Sequence, residues 1–550
     1  MFRRGGNAID AGVAAGLAAA VAMVDRTSFG GVAPIILYDA KTQQTFVIDG
    51  LGHWPAAADM GWFAGRQGVV ERGIRSAVIP AAPAAWLTAL ERFGSLTVSD
   101  VLEPAFELAS NGSPVSTRVA RGLEAYATQL SEITPEYRET FFPGGRALGV
   151  GERMVQPDLA GLLKRLMDQD SLARRTGSSR GEAIRRVYDY FYRGPVAEMI
   201  SRYYQSHGGW LRDSDLASYE PSVEAPQRGS YRGLDIETCG FWCQGPVLIE
   251  VLNIIEALRL TEAVDFGSAD YFHLLLQAID LSFADREAYY GDPRWVAVPA
   301  SRLLSKSFAE ERVRMVTHEA VRPAIPSPGE IFESDELMRK KTKARASLLQ
   351  TDGPPLTDTT YVAAADEAGN LFSATPSDSL FWTPIIPGLG FSCSGRGLQS
   401  RVNPQHPAAG GPGRRPRLTP SPALIGRRGR PFAAIGCPGE DAQQQGLAQF
   451  ILAHFDYGLN VQEAIERPRV ASTNFLGSFS PHASSAGGAF AEARIGESTI
   501  DALRALGHRV EVVSDWSPKV ACIHAIVRDD ATNFLVAGAD PRSEGAAIAW

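Results

Sequence analysis

The chain has 550 residues, 45% hydrophobic and 21% charged, an ordinary globular composition long enough for about three or four domains of ~150 residues. Its 54 basic and 62 acidic side chains give a net charge of −8, and no long basic run offers a footprint for nucleic acid. The five cysteines, Cys239, Cys243, Cys393, Cys437 and Cys522, are too few and too scattered for a disulfide framework, and Cys239 and Cys243 lack partners at zinc-ligand spacing.

Arg3-Arg4 ahead of the apolar run Ala11 to Val24 imitate an export signal. Gly5-Gly6-Asn7 and Asp10 interrupt its entry, however, and the run is too short to span a membrane. The pattern predicts an alanine-rich helix capped near Asn7, a cytoplasmic protein and no membrane partner. Because a helix begins almost at once, a short preceding strand is expected outside this sequence. Ser28 to Gly31 read as a turn, followed by a β-hairpin of Pro34 to Asp39 and Thr45 to Asp49. Helices are predicted over Ala82 to Phe93 and over Val98 to Ser110, the latter with Ser99 as N-cap and Gly112 as stop. More helices are expected at Asp158 to Met167, Gly181 to Tyr192, Pro195 to Gln205, Val247 to Leu258 and Ala269 to Tyr289, with Gly208 to Arg232 broken by turns.

From His318 to Asp358 proline and charge rise and apolar periodicity fades, the texture of a surface tail. Beyond it strands are predicted at Tyr361 to Ala365, Asn370 to Thr375, Ala423 to Ile425, Pro431 to Ile435, Arg509 to Val513, Ala521 to Val527 and Phe534 to Gly538. Helices at Ala442 to Phe455 and Gln462 to Glu466 separate them. The near-continuous apolar runs suggest buried parallel or mixed strands.

Competing chemistries fare poorly. Gly177-Ser178-Ser179-Arg180-Gly181 has the spacing of a nucleophile elbow, but polar Asp170 to Thr176 precede it where a hydrophobic strand is needed. Gly388-Leu389-Gly390 and Gly395-Arg396-Gly397 lack the strand-glycine-helix unit that a dinucleotide requires. The nine histidines are dispersed with no paired ligand spacing, so neither metal nor cofactor is expected.

Leu356 to Asp366 offers a different chemistry. Two threonines, Thr359 and Thr360, open a short apolar strand directly after the polar tail. Scission between Asp358 and Thr359 would give Thr359 a free α-amine to act as base for its own hydroxyl.

Several stretches together resemble the γ-glutamyltranspeptidase family of N-terminal-nucleophile hydrolases. They are Arg4 to Ala11, Gly30-Gly31, Leu102 to Ala109, Asp213 to Tyr219, Ala284 to Pro293, Ser421 to Leu424, Cys437-Pro438-Gly439, Asp456 to Asn460 and Asp540 to Ser543. Their order along the whole chain makes the resemblance specific. It implies an α+β fold, a four-layer αββα sandwich with two stacked sheets between helix layers. It also implies a zymogen that cuts itself into a large subunit, 1–358 with its tail at 318–358, and a small subunit, 359–550, which intertwine as one domain. By resemblance Thr359 is the nucleophile, Ser377 the hydroxyl that supports it, and the amides of Gly439 and Glu440 the oxyanion hole. Ser379, Arg396, Gln399, Thr419 and Leu51 fall at substrate-binding positions.

Departures from the family pattern concern the substrate. Leu51 stands where an Arg holds the glutamyl α-carboxylate, Gln399 where an Asp holds the α-amine, and Leu418-Thr419 where paired serines assist. Without that clamp, recognition of free γ-glutamyl groups should weaken. Arg396 is a candidate relocated anion contact, and His53 and Trp54 candidate pocket residues, with core packing the simpler role for Trp54. The expected activity is hydrolysis of a small amide, or acyl transfer from it, through an acyl-Thr359 ester. Alternatives are γ-glutamyl or glutathione hydrolysis with a rearranged carboxylate site, cephalosporin-acylase-like cleavage, and a non-catalytic uncleaved relative used for binding.

Overall fold

The computed structural model describes residues 1–133, 137–331, 358–529 and 531–549. Most of the expected tail therefore lies outside the described residues. The chain forms two compact units, each drawing on segments from both sides of the Asp358–Thr359 bond.

The first unit contains Met1–Ala225, the stretch that ends at Leu398, and Gly410–Pro416. Its sheet has five strands in the order Val223–Glu224, Gln44–Ile48, Ile35–Asp39, Leu371–Ala374 and Val362–Ala365, every neighbour antiparallel. The opening helix Ala8–Ala22 is capped by Asn7, whose side chain accepts from the amides of Ile9 and Asp10, as the sequence predicts. This helix covers the two strands that follow Thr359. The carboxylate of Asp366, from the turn joining those strands, accepts from the Ala8 amide at 2.9 Å and ties helix to hairpin.

The second unit holds the residues from Pro226, Gln399–Ala409 and the chain from Arg417 onward. Its six-stranded sheet runs Leu535–Ala539, His524–Arg528, Arg430–Gly436, Ala423–Arg427, Leu234–Thr238 and Gln227–Tyr231, again antiparallel throughout. Apolar helices Val247–Ala257, Ala269–Tyr289 and Gln443–Ile451 pack in its core.

The expectation of buried parallel or mixed strands is corrected in both main sheets, which are antiparallel throughout. Parallel pairing occurs between Gly488–Glu492 and Arg509–Val513, in a separate three-stranded sheet. Burial on both faces, not strand direction, explains the apolar runs. Thr97, not Ser99, caps the helix Val98–Asn111, through a box with Asp100, while Ser99 Oγ donates to the buried Asp170 at 2.6 Å. The helix predicted to end at Met167 runs from Pro157 to Arg175, and the one predicted through Phe455 is α-helical over Gln443–Ile451 and then π-helical over Leu452–Asp456. The helix Thr117–Ile133 and the hairpin Gln227–Tyr231/Leu234–Thr238 carry no clear sequence signal. Ser179 caps the helix Arg180–Tyr192, which accounts for the elbow-like spacing.

Candidate active site

Thr359 and Ser377 meet because one hairpin brings them together. Val362 pairs with Ala374 and Ala365 with Leu371, and the Thr360 amide still donates to the Pro376 carbonyl at 2.9 Å beyond the strand ends. The same register places Thr359 opposite Ser377. On its other side Ser377 exchanges backbone hydrogen bonds with Val32, its amide donating at 3.0 Å and its carbonyl accepting at 3.3 Å. Gly31 allows this approach, since a Cβ there would stand 2.2 Å from the Ser377 carbonyl oxygen.

Thr359 Oγ1 and Ser377 Oγ are 2.6 Å apart and fully buried. Ser377 Oγ donates to Asp358 Oδ2 at 3.0 Å. Its single proton being committed there, its oxygen accepts from the Thr359 hydroxyl, which forms a relay from the Thr359 hydroxyl to the Asp358 carboxylate. The Arg396 guanidinium contacts both ends of the second link, touching the Asp358 carboxylate and Ser377 Oγ, while its Nε pairs with Asp378 Oδ1 at 2.7 Å. Two carboxylates thus share one buried cation. Burial first, and then the Asp358 charge, push the Asp378 carboxyl up to about 6 against the pull of Arg396. The Trp382 ring lies 5.1 Å from the guanidinium.

The backbone at the junction is strained. Thr359 has φ 99° and Asp378 φ 85°, a region that a β-branched residue such as Thr rarely enters, at about 1–3 kcal/mol each. The Thr359 amide donates to the Arg26 carbonyl at 2.8 Å, and this holds the junction in place.

The remaining expected residues divide between the units. In the first, Leu51 is fully buried with its carbonyl facing the Tyr219 hydroxyl, Ser379 Oγ lies 3.5 Å from the Val24 carbonyl, and Trp54 packs against Phe63 and Trp210. His53 is half-buried, with Nδ1 3.0 Å from the Trp54 carbonyl. In the second, Gln399 Nε2 donates to Thr419 Oγ1 at 2.9 Å. Gly439 and Glu440 form the turn between the strand Arg430–Gly436 and the helix Gln443–Ile451, with φ of 139° and 51°. Gln244 Nε2 donates to the Glu440 carbonyl at 2.8 Å, and Arg286 Nη1 reaches Asp441 Oδ1 at 2.5 Å and Gln244 Oε1 at 3.3 Å. Arg286, from the Ala284 to Pro293 motif, therefore braces this turn.

Sequence reasoning treated Asp358 only as the residue before the cut and missed Asp378 altogether. The available signal was charge: two acids flank the paired hydroxyls, one on each side, and an Arg follows in the same unit.

Comparison with known proteins yields a consistent set. The γ-glutamyltranspeptidase family model matches residues 1–550. The glutathione hydrolase-like YwrD proenzyme of Bacillus subtilis (strain 168) is 30% identical over 548 residues, 99% of this chain and 94% of that protein. The acylase ACY 1 proenzyme of Pseudomonas sp. (strain SE83) is 30% identical over 564 residues, covering 99% and 90%. Among solved structures, the cephalosporin acylase from Bacillus halodurans superposes with a TM-score of 0.83 at 26% identity, over 100% of this chain and 92% of that one.

Proposed function

We propose, for a chain that belongs to the γ-glutamyltranspeptidase family and is an amidohydrolase or acyltransferase of the N-terminal-nucleophile type, that Thr359 both cuts the precursor and then attacks a small amide. The observation that carries this reading is the 2.6 Å contact between buried Thr359 Oγ1 and Ser377 Oγ, directly behind the Asp358–Thr359 bond.

In the uncut chain Thr359 Oγ attacks the Asp358 carbonyl carbon while its proton moves along Ser377 toward Asp358. The C–N bond breaks, the Thr359 nitrogen takes a proton, and an ester forms. Water then hydrolyses the ester to an Asp358 α-carboxylate and a free Thr359. Afterwards the Thr359 α-amine replaces the Asp358 carboxylate as the base. With substrate, the acyl C–N bond breaks as the Oγ–C ester forms, the Oγ proton departs with the amine, and water or a second amine takes the acyl group. The donors assigned to the oxyanion, on the resemblance of their turn alone, are the Gly439 and Glu440 amides.

A small amide is favoured over a γ-glutamyl group because Leu51 and Gln399 carry neither charge of the clamp, and Leu51 is part of the core. A cytoplasmic location is part of the proposal: the five cysteines are buried and none is in a disulfide, which suits a reducing compartment. Among the described residues no helix is long and apolar enough to cross a membrane.

Intact mass of the purified protein tests the core of this reading. The native sequence should give fragments of 358 and, from 550 less 358, 192 residues, and Thr359→Ala one uncut chain. An uncut native chain refutes it. Turnover of γ-glutamyl-p-nitroanilide that depended strongly on the α-carboxylate would refute the preference for small amides.

A further inference from the structure

We propose that Arg396 is the carboxylate-binding group of the mature site and that the Asp358 side chain occupies it until the chain is cut. The substrates are then amides of short dicarboxylic acids. This rests on the reading of Thr359 above.

Of the two acids held by Arg396, Asp378 is continuous with Thr359 and stays after scission. Asp358 lies on the other side of the broken bond and loses its covalent tie to the site. The uncut chain balances two carboxylates against one buried guanidinium, and the cut chain, once Asp358 leaves, balances one. The vacated place has Arg396, the Ser377 hydroxyl and the Asp378 amide as donors, a set that suits a carboxylate. A neutral amide there can still accept through its oxygen but forgoes the charge-assisted part of the contact with the guanidinium.

Geometry limits the size of the ligand. Asp358 Oδ2 is 3.0 Å from Ser377 Oγ, which is 2.6 Å from Thr359 Oγ1, so a carboxylate in that place is at most those two contacts from the nucleophile. Only a short spacer can join it to the carbonyl under attack. Asp358 shows what fits: its own carboxylate is separated from its own carbonyl carbon by Cα and Cβ alone. A succinyl monoamide has that form. Thr359 Oγ would displace ammonia or an amine from it, the hydroxyl proton leaving with the nitrogen, and water would release the dicarboxylate.

The test uses the cut native protein, the uncut Thr359→Ala chain, and succinate with its neutral isostere succinamide as probes in calorimetry. The cut protein should bind succinate about tenfold or more tightly than succinamide, and the uncut chain should not bind succinate. Hydrolysis of succinamate should exceed that of butyramide by a similar factor in kcat/KM, and Arg396→Lys should shrink that ratio. If Arg396→Lys is not cut, the binding comparison in the native sequence decides alone. A cut protein that binds both probes equally, or an uncut chain that binds succinate as well as the cut one, overturns the inference. An uncut native chain overturns the reading of Thr359 and this inference with it, and the mass spectrum distinguishes the two failures.

Discussion

Replacing Asp358 with Asn removes the charge at the end of the relay while keeping the shape of the side chain. Thr359 Oγ1 would still reach Ser377 Oγ, but the 3.0 Å link to Asp358 Oδ2 would end on an amide that cannot take a proton. A positioned general base is worth about 10²–10⁴ in rate, so the half-time of self-cleavage should lengthen at least about a hundredfold. Breaking a buried ion pair would ordinarily cost about 3–5 kcal/mol. Here Arg396 keeps Asp378 at 2.7 Å, and the Asp358 charge is among the causes that hold the Asp378 carboxyl at about 6. Without it Asp378 ionises more readily and takes up the pair, so the loss of stability should stay near 1–2 kcal/mol. Intact mass followed over time at pH 7, with urea unfolding as the control for stability, separates the two effects. Ser377→Ala breaks the same relay in the middle, so the double variant should be no slower than the worse single one. Cleavage of folded Asp358→Asn at the native rate would refute the relay.

Other consequences are spread through the molecule. Burial raises the Asp280 carboxyl to about 7, against the hydrogen bonds of Ser472 and Asn474. A folded-state value above the unfolded one means that Asp280 favours the native state most at low pH, and this contribution is lost as pH rises from about 4 to about 7. Asp280→Asn should therefore gain on the native protein across that window, by up to about 4 kcal/mol at its plateau, in urea unfolding at several pH values. A pH-independent difference would refute it. Asp540, from the Asp540 to Ser543 motif, pairs with buried Arg469 at 2.6 Å and Arg542 at 3.0 Å, so Asp540→Ala should cost about 3–5 kcal/mol, and a loss under about 1 kcal/mol in urea unfolding would contradict its structural role. A Cβ at Gly12 would stand 2.1 Å from the Phe372 ring, so Gly12→Val should destabilise by about 1–3 kcal/mol or more through overpacking, read as a lower Tm. Urea above the unfolding midpoint should leave the Asp358–Thr359 bond of freshly made chain intact, with scission beginning on dilution; scission in the unfolded chain would mean that the folded relay is not required.

Much of the site was legible because it is local. The strands after Thr359 and the turn from Asp366 fix a hairpin register, and that register alone sets Thr359 across from Ser377. The Asn7 cap and the Ile35–Asp39/Gln44–Ile48 hairpin were legible for the same reason. Contacts that depend on tertiary packing were not. Arg396 reads in sequence as a candidate relocated anion contact, and only the fold shows it enclosed by Asp358 and Asp378. The helix expected to end at Met167 meets polar residues after it, yet Asp170 turns inward to Ser99 and the helix continues to Arg175. Strand direction was misread because burial on both faces gives the same apolar run in parallel and antiparallel sheets.

Three features of the uncut chain exist to be lost: the positive φ at Thr359, the second carboxylate on Arg396 and the relay that ends on Asp358. Each needs the folded hairpin, and an unfolded chain has none of them. Scission can relax the backbone, release one acid from an over-subscribed cation and remove the base that served it, while the new α-amine supplies another. The same folded arrangement therefore favours one cut and does not regenerate the conditions for reversing it. What remains beside Thr359 is a hydroxyl, a guanidinium and a single carboxylate, and the anion that left is the best description of the one that should enter.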